Sequence, residues 1–122
     1  MAVIQLKQCD KILSEDLDDW GPVELPLSEP VSQLSGKIIS ENKDGSEAGI
    51  WECTPGKWTR QIMDAELSVF FKGRAIFHPE GGDPIVIEAG DSQYFDANSK
   101  GTWEIIETVR KAYLTYKNDE TD

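Results

Sequence analysis

Few side chains in this sequence are equipped for chemistry. The single histidine, His78, lies in Phe77-His78-Pro79-Glu80-Gly81-Gly82, immediately before a tight turn. A Cys–His or Ser–His–Asp site needs an imidazole within hydrogen-bond reach of its nucleophile, so it would have to use this residue. Its place beside the turn reads instead as a solvated histidine. Cys9 and Cys53 are far apart and belong to no CxxC pair, so the spacing of a zinc site is missing. Both read as reduced thiols, and Cys53, in an apolar segment, as packing rather than a nucleophile. The best lead is a carboxylate. In Glu66-Leu67-Ser68-Val69-Phe70-Phe71 a strand period of two puts Glu66, Ser68 and Phe70 on one face and Leu67, Val69 and Phe71 on the other. If the first face is interior, Glu66 must be paired, hydrogen-bonded or in a wet cavity. If it is exterior, Glu66 is an ordinary surface residue, and the pattern leaves both readings open.

The elements that would position these groups are mostly strands. Short β-type runs are expected at 37–40, 49–53, 58–63, 66–71, 74–78, 85–88, 93–95, 103–106 and 109–116, rich in Ile, Val, Phe, Tyr, Trp and Thr. Turn chemistry separates them, as in Asn42-Lys43-Asp44-Gly45-Ser46, Thr54-Pro55-Gly56 and Ala89-Gly90-Asp91. Many short strands without long helical stretches predict an all-β antiparallel sandwich or barrel. Residues 1–35 differ. A short helix is expected around Ser14 to Trp20, with Ser14 as cap. Pro22, Pro26 and Pro30 then impose an extended arm whose alternating Val23, Leu25 and Leu27 suggest that it lies on a surface. The organisation is one domain: an arm over 1–35, a barrel over 36–117 and a frayed tail over 118–122.

Composition narrows the partners. A formal charge of −11 disfavours nucleic acid and anionic membrane surfaces, which both need clustered Lys and Arg. The run Glu15, Asp16, Asp18 and Asp19 reads as a solvated face more readily than as a docking patch. The stretch Met1 to Ile12 carries Lys7 and Asp10 and no continuous apolar run, so it reads neither as a secretory signal nor as a membrane span. A cytoplasmic location is the expectation.

Several motifs carry a resemblance. Gly49-Ile50-Trp51-Glu52-Cys53-Thr54-Pro55-Gly56-Lys57-Trp58 followed by Glu66 and Gly73 resembles the first cupin motif, in which a glutamate precedes a glycine by seven positions. Glu88-Ala89-Gly90-Asp91-Ser92-Gln93-Tyr94-Phe95 resembles the opening of the second. The run Gly101-Thr102-Trp103-Glu104 through Val109-Arg110-Lys111-Ala112-Tyr113 is similar to small single-domain cupins related to ureidoglycine aminohydrolase and to ethanolamine-utilisation cupins. The resemblance spans roughly residues 20 to 116. It implies a double-stranded β-helix, the cupin jelly-roll barrel, commonly as a homodimer.

The resemblance also implies a site and what it lacks. Counted from Glu66, the two histidines of the family's metal site fall at Thr59 and Gln61, and that of the second motif at or beside Trp103. One glutamate with such neighbours would not hold Zn, Fe or Mn, so neither a metal nor another cofactor is expected. Since cupins place the motif glutamate inside, Thr59, Gln61, Glu66, Ser68 and Trp103 should converge on one cavity. Stepping by twos from Trp103 adds Glu107, Lys111 and Tyr113, unless a bulge near Thr108 breaks the register. Lys111 would then be either a structural ion-pair partner or a seat for a substrate carboxylate. The leading reading is metal-free binding of a small polar molecule with an apolar part. Three others stand beside it. An acid–base enzyme would use Glu66 with Lys111, Tyr113 or Glu107. A residual metal site would draw on Glu66, Gln61 and Cys53 or His78. A structural dimer would pack through Leu67, Val69 and Phe71.

Overall fold

Two long strands organise the molecule. The computed structural model describes residues 2–118 of the chain. Within them β5 (Ala65–Pro79) and β8 (Ser99–Tyr116) pair antiparallel along nearly their whole length. The other edge of β8 is shared by β3 (Glu47–Cys53) and β4 (Gly56–Ile62), one on each half. The other edge of β5 is shared by β6 (Ile85–Glu88) and β7 (Ser92–Phe95). β2 (Gln33–Glu41) and β1 (Asp18–Pro22) extend the sheet beyond β3. The result is the all-β antiparallel architecture expected from the strand pattern, in the jelly-roll form that the cupin resemblance implies.

Each long strand reads in the sequence as two short ones because each is bent at its middle. The β5–β8 register shifts three times between Phe70 and Ala75, opposite the stretch from Lys111 to Ile105. Gly73 sits at this bend with φ +86°, and a Cβ there would lie 2.0 Å from the Thr108 carbonyl oxygen. Only glycine tolerates both the left-handed backbone and the close approach. The irregularity expected near Thr108 is therefore real, and it leaves Glu107 exposed while Ile105, Val109 and Lys111 are buried.

Trp103 is the hub of the core. It packs at 5.0 to 6.1 Å, ring centre to ring centre, against Phe77, Phe95 and Phe70, all in edge-on geometry. Cys53, Ala75, Ile87, Ile105 and Val109 fill the remaining space. Complete burial of one tryptophan removes about 150–250 Å² from water, worth at most about 4–6 kcal/mol.

Much of the stretch from Cys9 to residue 35 is built into the barrel surface. The helix expected over Ser14–Trp20 is a single 3-10 turn, Ser14–Asp16, because Asp18 already pairs with Gly36 as the start of β1. The proline arm runs along β4: Leu27 N donates to Lys57 O at 2.8 Å and Thr59 N to Leu25 O at 3.0 Å. Backbone bonds hold it there, so Val23 is buried while Leu25 and Leu27 stay exposed. Further upstream, Arg110 reaches out of β8 to clamp the chain. It donates to Glu52 Oε1 through Nε (2.9 Å) and Nη2 (2.6 Å), and through Nη1 to the carbonyls of Cys9 (2.8 Å) and Ile12 (2.6 Å). Arg110 and Glu52 are thereby buried on the outer side of the sheet. Among the described residues, no helix is long and apolar enough to cross a membrane. The tail expected to fray lies largely outside the described residues.

Candidate functional site

The aromatic core fills one end of the barrel, and the other end is hollow. The cavity there measures about 190 Å³ and is lined by all four tryptophans of the chain, Trp20, Trp51, Trp58 and Trp103. β1 contributes Trp20, whose ring lies against Gly36, where a Cβ would come within 2.4 Å of it. Ile62 and Thr115 complete the apolar wall, and Tyr113 donates its hydroxyl to Glu47 Oε2 at 2.6 Å. Burial and the neighbouring Glu47 carboxylate both push the Tyr113 phenol upward, so it stays protonated.

The floor is a buried ionic triad. Glu66 on β5 accepts from Arg60 Nη2 on β4 at 3.1 Å and from Lys111 Nζ on β8 at 2.5 Å. Ser68, two positions along β5, donates to the Oε2 that Lys111 also holds. Arg60 is steadied by Ser99 Oγ at 2.7 Å and by the Phe95 ring, 3.9 Å beneath its guanidinium. Lys111 Nζ lies 4.3 Å from the centre of the Trp51 ring. The relative exposures are 2% for Glu66, 2% for Arg60 and 3% for Lys111, so water screens none of these charges. Burial alone would raise the Glu66 carboxyl, but Lys111, Ser68 and Arg60 outweigh it and bring its pKa to about 2. Burial pulls the Lys111 ammonium below its ordinary value, against the opposing pull of Glu66. The carboxylate is thus ionised at neutral pH, contrary to the raised pKa that a proton-transfer role for Glu66 would require.

The structure brings together Glu66, Ser68, Trp103, Lys111 and Tyr113, but three expected members lie elsewhere. On β4 the register with β8 sets Trp58 opposite Trp103 and Arg60 opposite Gly101. Trp58, Arg60 and Ile62 therefore line the cavity. Thr59 and Gln61, placed inside by counting the family spacing back from Glu66, have the opposite parity. Gln61 is exposed and Thr59 half-buried, and both border a larger recess, about 520 Å³, between the arm and β4. Glu107 is exposed because the bulge opposite Gly73 turns that stretch of β8 outward. Sequence reasoning missed Arg60 and Glu47, which carry charge, and Trp20, Trp51, Trp58, Ile62 and Thr115 of the wall. The signal for Arg60 was the alternation Trp58-x-Arg60-x-Ile62, which marks one face of a strand.

The residues present do not fit a metal ion. Both oxygens of Glu66 are engaged by cationic donors, and a divalent ion beside them would meet the Arg60 and Lys111 charges directly. His78 does not reach the cavity: its Nε2 lies 3.0 Å from Glu104 Oε1. Cys53 is a buried core thiol with its pKa pushed up to about 11, chiefly by burial, and is a poor ligand at neutral pH. Among the described residues, no three His, Cys, Asp or Glu side chains are grouped to hold a metal.

Comparison with known proteins agrees with this architecture. A protein of unknown function from Pseudomonas syringae pv. tomato superposes with a TM-score of 0.73 at 23% identity, covering 81% of this chain and 43% of that one. The chain thus spans less than half the length of that relative. The EutQ protein of Clostridium difficile gives 0.63 at 16% identity, covering 80% and 82% of the two chains. The ethanolamine utilisation protein EutQ of Salmonella typhimurium gives 0.60 at 17% identity, covering 69% of each. At these identities the likeness establishes the fold alone. Among curated proteins none matches the chain. The EutQ-like cupin domain matches residues 40–113, from the end of β2 to the Tyr113 of the cavity, and the chain belongs to that family.

Proposed function

We propose that this cupin binds a small organic molecule inside the barrel without a metal ion. The observation that carries the reading is the hollow end itself, where four indoles surround a fixed group of buried charges. Ligand sites typically combine apolar walls with a few convergent polar groups, as here. The space beside the triad, about 190 Å³, lies below the usual range for drug-sized ligands, so the group held there is small; a neighbouring recess of about 520 Å³ shares Trp20, Trp51, Trp58, Arg60 and Ile62 with it. Glu66, ionised and tied to two cations, favours binding over acid–base turnover. The test is titration of the full chain with a panel of small metabolites, read by tryptophan fluorescence and thermal shift. Saturable binding by at least one compound supports the reading; silence across the panel overturns it. Metal analysis of protein purified without an affinity tag, finding a stoichiometric ion, would overturn the metal-free part.

A second reading, compatible with the first, is a homodimer. Leu67 and Val69 face outward on β5 at 47% exposure, and Leu67 is flanked across the strands by the exposed Tyr94 and Leu114. Contiguous apolar surface on a sheet face favours self-association. A dimeric mass by analytical ultracentrifugation, falling to the monomer in Leu67→Lys, supports it; a monomer at micromolar concentration counts against it.

A further inference from the structure

The cavity floor carries more positive charge and more donors than the protein satisfies. Arg60 and Lys111 bring two positive charges and Glu66 one negative, leaving one in excess among side chains at most 4% exposed. An ammonium has three N–H donors. Lys111 gives one to Glu66 Oε2, and around it stand the rings of Trp51, Phe70, Phe95 and Trp103 at 4.3 to 5.8 Å. Trp103 lines the same cavity, and its buried Nε1–H has no acceptor among the described residues. Trp58 also lacks an oxygen acceptor, but the Cys53 thiol lies beside it. The other carboxylate of the lining, Glu47, is bonded to Tyr113 and only half-buried. It pairs with Thr115, four residues along β8 from Lys111, or about 13 Å of strand. Among the described residues Glu47 forms no ion pair with Arg60 or Lys111, so Glu66 is the one carboxylate those two cations share.

A buried charge without a counter-charge is costly, and a ligand that supplies one relieves that cost. A monoanion balances the floor, a dianion overshoots it, and a cation adds to the excess. The walls favour flat, apolar bodies because four indole rings line them. The space beside the triad, about 190 Å³, has room for a single ring, since a cavity of about 150 Å³ accommodates benzene. Resting on the binding role argued above, we infer that the ligand is a small monocarboxylate with a flat aromatic or unsaturated body. Its carboxylate accepts from Lys111 Nζ on the floor, and its ring lies against the tryptophans.

Three near-isosteric probes test the charge class on the unmodified full chain: benzoate, benzamide and benzylamine, titrated at pH 7 by calorimetry. Benzoate is expected to bind saturably, benzamide at least tenfold more weakly and benzylamine not at all. In Lys111→Met the affinity for benzoate should fall at least tenfold and the preference over benzamide should vanish. Lys111→Gln, which keeps a donor but loses the charge, serves the same purpose if the methionine variant does not fold. Benzamide or benzylamine binding as well as benzoate overturns the carboxylate assignment while leaving a small-molecule site in place. Undiminished benzoate binding in both variants overturns the role of Lys111. If the three probes fail but another compound of the metabolite panel binds, the ligand class is wrong. If every compound fails, the binding reading falls with it.

Discussion

Removing the carboxylate and removing the ammonium from the buried triad should have unequal consequences. Glu66→Gln leaves Arg60 and Lys111 facing each other with no counter-charge, both almost fully buried. Breaking a buried ion pair in this manner costs about 3–5 kcal/mol. Lys111→Met deletes the charge in excess and leaves Arg60 Nη2 against Glu66 Oε1 at 3.1 Å, with Ser68 still donating to Oε2. The methionine fills the space of the lysine stem, so the expected change is about 1 kcal/mol or less, in either direction. Urea unfolding at pH 7, followed by tryptophan fluorescence, separates the two. With a slope of about 2 kcal/mol per molar, the midpoint should fall by about 1.5–2.5 M in Glu66→Gln and by under about 0.5 M in Lys111→Met. Equal losses, or a larger loss for the lysine variant, would refute the argument that the floor holds surplus positive charge.

The same carboxylate sets an acid limit. Its folded pKa of about 2 lies below the ordinary 4.5, so the folded state holds fewer protons between those values and stability rises with pH there. Roughly 3 kcal/mol is present above about pH 4.5 and is lost as pH falls toward 2; urea midpoints at pH 6 and pH 3 should differ less in Glu66→Gln than in the unmodified chain. Arg110→Ala strands Glu52 in a buried position and releases the carbonyls of Cys9 and Ile12, so trypsin should cut after Lys11 faster and stability should drop by about 3 kcal/mol. An unchanged digestion rate would show that the arm is held by something else. Gly73→Ala combines left-handed strain with a steric conflict at the Thr108 carbonyl, for a loss of about 3 kcal/mol. A melting temperature within a degree of the unmodified chain would contradict that account.

Alternation made much of the site readable. Glu66 and Ser68 share a strand face with Phe70, and Trp103, Lys111 and Tyr113 keep step by twos along β8, so once one residue is inside the others follow. Two kinds of information were missing. The bulge opposite Gly73 breaks the rule at Glu107, and its place was foreseeable while its effect on side-chain direction was not. For β4, the spacing of a resembling motif displaced the strand's own pattern. Trp58 and Ile62 alternate with Lys57, Thr59 and Gln61, which argues for an inward Arg60, but an arginine between polar residues reads as surface when no buried carboxylate is known to await it. The expected helix at Ser14–Trp20 failed for another reason: its apolar spacing was genuine, yet pairing with β2 offered those backbone groups long-range partners that local periodicity does not reveal.

The bent strands β5 and β8 have a dynamic consequence. They carry Glu66 and Lys111 at the hollow end, and Phe77 and Trp103 in the packed end. The two ends are therefore one cooperative unit, and amide hydrogens beside the cavity should exchange only through global unfolding. Occupancy of the floor would then slow exchange as far away as Phe77, by the factor through which the ligand shifts the whole folding equilibrium.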